Sequence, residues 1–286
     1  LQNNYLTSIS KAPGKIILFG EHFVVYNNRA ILGAIDKYAT VTSEKTNTDN
    51  ILISSSLGQT SIQKDDDEDK IEKKFRPFFY IAKQVIARNN FDKGVSIKIE
   101  SDIPIGAGLG SSSACCVAAA ASISNLFKNT DKKEILELAI QAEKKIFPES
   151  SGADCTISVY GGIIEYQKER GFSKINTENE FNFLIIDSEK VHATDKVVER
   201  VKKFKEENEN VFAELCSEEE RLITKALDSM KNNDLETIGK CMAQNQIYLE
   251  QIGVSNYELL SITKEIEKIT FGAKITGAGD GGCIIA

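Results

Sequence analysis

The sequence predicts an α/β (α+β) fold in two domains: a mixed-sheet domain over residues 1–170 and a helix-rich domain with a small sheet over 171–286. Three observations carry this. Segments that alternate apolar and polar residues, such as Gly94-Val-Ser-Ile-Lys-Ile-Glu100, read as strands and concentrate in the first half. A strand, a glycine loop and an apolar helix follow one another between residues 94 and 121. From Thr194 onward the pattern turns helical, with short breaks such as Asn232-Asn233.

Taken in order, Ile16 to Phe19 is a buried strand broken by Gly20-Glu21-His22, after which Phe23-Val-Val25 continues as extended or turn structure. Lys15 precedes that strand, where a charge needs a partner or a solvated cleft; a strand-edge lysine reaching solvent is the plainer alternative. His22 beside Glu21 fits a hydrogen-bonded core pair as well as a site. Ala30 to Thr42 and Ile51 to Ile62 are further strands with polar turns. The charge run Lys64 to Lys70 is a solvated loop rather than a metal site, since no turn chemistry orders its carboxylates. Phe75 to Asn89 is an amphipathic helix with Pro77 in its first turn.

Thr130-Asp131 caps the next helix, with Glu134 at the capping-box position and Glu143 near the apolar stripe. Asp154 opens a buried-looking segment beside a Ser-Gly turn, where an N-cap is the bland assignment. Ile163 to Tyr166 and Phe181 to Asp187 are strands, and Gln167 to Glu180 is a hairpin or domain boundary. Helices follow at Thr194 to Glu206, Val211 to Met230, Leu235 to Ile252 and Tyr257 to Lys268. Ala273 to Ala286 is strand, glycine turn, strand. The absence of Met at position 1 points to a trimmed N-terminus, and a chain stopping inside its last strand points to missing C-terminal residues.

Composition narrows the function. The formal charge of −7 and the lack of a basic stripe argue against a nucleic-acid partner. No run approaches the length of a membrane span, and no signal segment opens the chain. Six cysteines without a Cys-x-x-Cys pair, and only two histidines, argue against zinc or a disulfide framework. A reducing cytoplasm is the simple expectation.

The chemistry centres on Asp102-Ile-Pro-Ile-Gly-Ala-Gly-Leu-Gly-Ser-Ser-Ser-Ala114. Glycines at 106, 108 and 110 let backbone N–H groups curl around an oxyanion, and the helix that follows adds unpaired donors and a partial positive charge. No Gly-Lys-Ser/Thr ending is present, and the third glycine comes one position early for a dinucleotide fingerprint. A polyphosphate fits. A glycine turn capping a core helix is the plainer alternative.

Three ordered segments, Pro13-Gly-Lys-Ile-Ile-Leu-Phe-Gly-Glu-His22, Pro104 to Ala114 and Lys274 to Cys283, together resemble the GHMP small-molecule kinases. Gly20 to Tyr26, Ser151-Gly-Ala-Asp-Cys155 with Tyr160-Gly-Gly162, and Asn245-Gln246 with Ile252-Gly-Val-Ser255 are most similar to the members acting on mevalonate. The resemblance implies a GHMP-kinase fold and an ATP-dependent phosphorylation of the mevalonate 5-hydroxyl in isoprenoid synthesis. It implies that Pro104, Ile105, Gly106, Ala107, Gly108, Leu109, Gly110, Ser111 and Ser112 wrap the ATP phosphates. It implies Asp154 as the base and Lys15 as its catalytic partner. Glu143 becomes a Mg²⁺ ligand with a serine hydroxyl, best Ser112, with Ser111 adjacent. Lys15, Glu21, His22, Asp154, Thr194 and Gly279 become substrate contacts, and a homodimer is the implied assembly. Residues 15, 112, 143 and 154 are thus expected to serve one triphosphate terminus.

One departure stands out. Asp280 occupies a turn position where many such kinases carry glycine, and a carboxylate near phosphate is repulsive unless it points away or meets a cation. The rival functions are a phosphomevalonate kinase-like enzyme, which demands extra Lys or Arg at the pocket, and a non-catalytic ligand sensor on the same fold.

Overall fold

The computed structural model describes residues 7–177, 180–190 and 194–286. The elements in chain order begin with β1 (Thr7–Phe19), a single 3₁₀ turn at Phe23–Tyr26, β2 (Ala30–Lys45), β3 (Asn50–Ser55) and β4 (Gly58–Gln63). A 3₁₀ turn at Glu68–Lys70 precedes α1 (Arg76–Arg88), β5 (Val95–Ser101), α2 (Ser111–Asn125), α3 (Lys132–Glu143) and α4 (Ala153–Tyr160). Then come β6 (Ile163–Gln167), β7 (Gly171–Lys174), β8 (Ile185–Asp187), α5 (Thr194–Glu207), α6 (Glu209–Lys231), α7 (Leu235–Gln251), α8 (Tyr257–Glu267), β9 (Lys274–Thr276) and β10 (Cys283–Ile285).

Two compact units result. The first comprises 7–14, 34–103 and 110–161; the second comprises 15–33, 104–109 and 162–286. In the first, β5 pairs antiparallel with the Ala39–Lys45 part of β2 and parallel with β3, and β3 forms an antiparallel hairpin with β4. The sheet is therefore mixed. Val41, Ile51, Ile53, Val95 and Ile97 bury one alternating row. Helices α1 and α2 pack with this sheet, and α3 and α4 pack on α2. Helix α2 is buried nearly all round because its surface is Ala, Cys and Ser, which let neighbours approach closely. Its Ser122 hydroxyl is absorbed by Ser8 O at 2.8 Å and Ser43 Oγ at 2.9 Å.

In the second unit the Ala30–Gly33 end of β2 pairs with β6, and β6 with β7. A separate antiparallel sheet runs β8-β10-β9. The Ile17 N–H donates to Thr276 Oγ1 at 2.8 Å, and that hydroxyl donates back to Ile17 O at 3.0 Å, tying β1 to β9. Helices α6 and α7 pack on one another and α7 on β9. Phe212 of α6 sits edge-on to Tyr26 and 5.8 Å from the Phe23 ring.

Most expected elements form, but β1 begins at Thr7, nine residues before the expected Ile16. Of the two alternatives for the chain after His22, the turn is the one that forms, as a 3₁₀ turn at Phe23–Tyr26. Of the expected strand Phe181 to Asp187, Ile185–Asp187 pair with β10, and Leu184 exchanges backbone hydrogen bonds with Ala286 at 2.9 and 3.0 Å.

Candidate active site

Within the first unit, chemistry gathers where α2, α3 and α4 meet. Asp131 caps α3, accepting from the Glu134 N–H at 2.8 Å. At the other end, Glu143 is the last residue of the helix and only 4% exposed. Ser113, in the first turn of α2, donates to Glu143 Oε1. Ser150 donates to Oε2 at 2.5 Å, and the Cys155 thiol reaches the same oxygen at 3.6 Å. Asp154 lies half-buried in the first turn of α4, behind a left-handed Gly152 at φ 82°. Gly152, not Asp154, is the N-cap.

Burial, and secondarily the Asp154 charge, hold the Glu143 carboxyl above its ordinary range; the two hydroxyls partly oppose this. Among the described residues, Glu143 and Asp154, with the Ser113 and Ser150 hydroxyls and the Cys155 thiol beside them, offer mainly hard oxygen donors. A divalent cation such as Mg²⁺ fits them and would offset both the burial and the repulsion. Ser111 and Ser112 are half-buried at the helix start. The serine bonded to Glu143 is Ser113, which the sequence reading passed over. Ser150 was missed as well, although its place just before the Ser-Gly turn was the available signal.

The second unit holds Lys15, Glu21, His22, the loop 104–109 and the β9–β10 turn. Gly106, Gly108 and Gly110 adopt φ of 78°, 78° and 74°, left-handed values that side chains resist. Ala107 and Leu109 alternate with them and are buried, anchoring the loop, while Pro104 is half-buried and Ile105 is exposed. The Lys15 N–H donates to Leu109 O at 2.9 Å, pinning the loop to β1. The Lys15 side chain is 3% exposed, and its charge acts on Glu21 and Lys274.

Glu21 and Lys274 form an ion pair with no solvent exposure. The Lys274 ammonium also donates to Ile275 O at 2.8 Å. Burial pushes the carboxyl up and the ammonium down, and their attraction opposes both. Lys274 was not anticipated; its signal was a lysine leading a buried strand, as at Lys15. His22, at φ 64°, donates from Nε2 to Ala278 O at 2.8 Å, and burial pushes its pKa down to about 4. It is neutral at pH 7.

Gly279 has φ 81°, and a Cβ there would stand 2.2 Å from Val254 O, so the turn is closed to larger residues. Asp280 next to it accepts from Arg200 Nη2 at 2.9 Å and from Asn256 Nδ2 at 3.4 Å. Thr194 is the first residue of α5 and half-buried. Its preceding neighbours Val191, His192 and Ala193 lie outside the described residues.

The family model described as GHMP kinases N terminal domain matches residues 77–162, and that described as GHMP kinases C terminal matches 225–286. The mevalonate kinase of Archaeoglobus fulgidus is 35% identical over 277 residues, covering 96% of this chain and 90% of that protein. The crystal structure of the Methanococcus jannaschii mevalonate kinase superposes with a TM-score of 0.84 at 32% identity, covering 97% of this chain and 89% of that one. The L. major mevalonate kinase in complex with R-mevalonate gives a TM-score of 0.81 at 27% identity, covering 97% and 86%. The chain belongs to the GHMP kinase family and has its two-domain fold. Within that family, these three relatives are all mevalonate kinases.

Proposed function

We propose that this chain transfers the γ-phosphoryl group of ATP to the 5-hydroxyl of mevalonate, giving 5-phosphomevalonate and ADP for isoprenoid synthesis. The observation that carries the reading is the buried Glu143, held by Ser113 and Ser150 beside Asp154. A carboxylate kept out of water next to a second one is a costly arrangement that a metal-nucleotide complex makes useful.

In this reading residues 1–170 carry ATP recognition and the base, and 171–286 complete the substrate side. Asp154 accepts the hydroxyl proton as the oxygen–phosphorus bond forms and the bond to ADP breaks; prior deprotonation is not needed. Lys15 stabilises the emerging alkoxide charge. The N–H groups of 104–112 bind phosphate oxygens. Mg²⁺ supplies neutralisation of the triphosphate, and Glu143 with a hydroxyl from Ser112 or Ser113 would hold it. Glu21, His22, Thr194 and Gly279 orient mevalonate. The six free cysteines suit a reducing cytoplasm. The assembly is a homodimer, which sedimentation will test.

The deciding experiment is ADP release with mevalonate, phosphomevalonate, galactose and homoserine. Turnover on mevalonate alone supports the reading. Preference for phosphomevalonate would move the acceptor one step on, and nucleotide binding without turnover would make the protein a sensor.

A further inference from the structure

The Gly20–His22 break rests on a polar cluster shut away from solvent. Glu219 of α6 is fully buried. Its Oε2 accepts from Asn245 Nδ2 of α7 at 2.6 Å, and the Gly20 N–H acts on its carboxyl, lowering its pKa. Glu21 faces it and already holds Lys274 of β9. Glu21 Oε2, Glu219 Oε1 and Asn245 Oδ1 are buried without a hydrogen-bond partner among the described residues. The other titratable groups facing Glu219 are Cys241 and Tyr248 from α7 and Cys216 on its own helix. Lys15 acts on Glu21 and Lys274, and His22 feels Lys274.

Lys274 is bonded to Glu21, and Lys15 acts on Glu21 and Lys274, so among the described residues Glu219 has no ammonium of its own in this buried cluster. The Glu21 charge acts on Glu219 more strongly than that of Lys274. A proton on Glu219 removes the repulsion and turns one oxygen into a donor that an unpartnered oxygen can accept.

We propose that Glu219 is a positioning residue for the Gly20–His22 turn, acting as a protonated acid set between the Gly20 N–H and Asn245 while presenting no charge to Glu21. Burial and Glu21 together push its pKa up to about 8, in keeping with that state at neutral pH. The proposal rests on the function above, because the turn it holds carries Glu21 and His22.

Glu219→Gln keeps the shape and removes the titration. Thermal midpoints of parent and variant are measured from about pH 5 to about pH 9, together with KM and kcat for mevalonate. The parent loses stability as pH rises from the unfolded carboxyl value toward about 8, so the variant's advantage grows over that window and then levels. The parent's KM rises above about pH 8 and the variant's stays flat. Glu219→Leu, which removes the acceptor, raises KM about tenfold with kcat within about twofold. A constant midpoint offset across pH, or one shared KM profile, overturns the proposal. If the parent never turns over mevalonate, the functional reading fails, while the midpoint profile still decides on the protonated acid.

Discussion

Arg200 of α5 donates one guanidinium nitrogen to Asp280 at 2.9 Å and another to the Gly253 carbonyl at 3.0 Å. The carboxylate in the glycine turn is thus directed at a cation, which answers the charge problem its sequence position raised. Arg200→Ala should leave the thermal midpoint nearly unchanged, since the pair is 46% and 35% exposed and such pairs contribute about 0–1 kcal/mol. KM for ATP should rise several-fold from the uncompensated charge, and adding Asp280→Gly should reverse it. ADP-release kinetics on the three proteins check this.

Asp154→Asn and Lys15→Met should each lower kcat by about 10²–10⁴-fold, the usual scale for losing a positioned proton acceptor or a group that stabilises developing negative charge. Near-normal turnover in both would remove these residues from the chemistry. Circular dichroism of the variants shows whether each still folds.

Breaking the buried pair should be severe. Lys274→Met strands the Glu21 carboxylate without its ammonium and should cost about 3–5 kcal/mol in urea unfolding. Adding Glu21→Gln removes the uncompensated charge and should recover much of that loss. Equal stability of the single and double variants would contradict the pairing.

His22 carries an acid-side penalty. Its folded pKa lies near 4 and its ordinary value at 6.5, so the unfolded chain takes up a proton first as pH falls. The stability it contributes is present above 6.5 and is lost as pH drops through about 4, amounting to about 3 kcal/mol. His22→Asn, a residue that tolerates positive φ, should flatten this limb in midpoints recorded between those values.

Magnesium should raise the thermal midpoint of the nucleotide-bound parent. Glu143→Gln should abolish that increment, and Ser113→Ala should reduce it. An unchanged increment in Glu143→Gln would place the metal elsewhere.

Local signals were readable from residue order alone. The Asp131 cap and the Asn/Asp helix breaks are short-range hydrogen-bonding choices, and they came out where the residues announce them. Partners far apart were not readable. Lys274 meets Glu21 across 253 positions, and nothing in either neighbourhood names the other. The serine at Glu143 turned on helical phase: one position along a helix rotates the side chain by about 100°, so Ser112 and Ser113 look alike in sequence and face differently.

The chain passes from one compact unit to the other after residues 14, 33, 103, 109 and 161. No single cut therefore separates them, and neither half of the gene encodes a self-sufficient piece. During synthesis, residues 15–33 emerge early yet wait for partners as late as Thr276 and Ala278. The nascent polypeptide must shelter that apolar stretch until residues 276–278 have been made, which makes truncation before them or split expression a route to aggregation rather than to a working fragment.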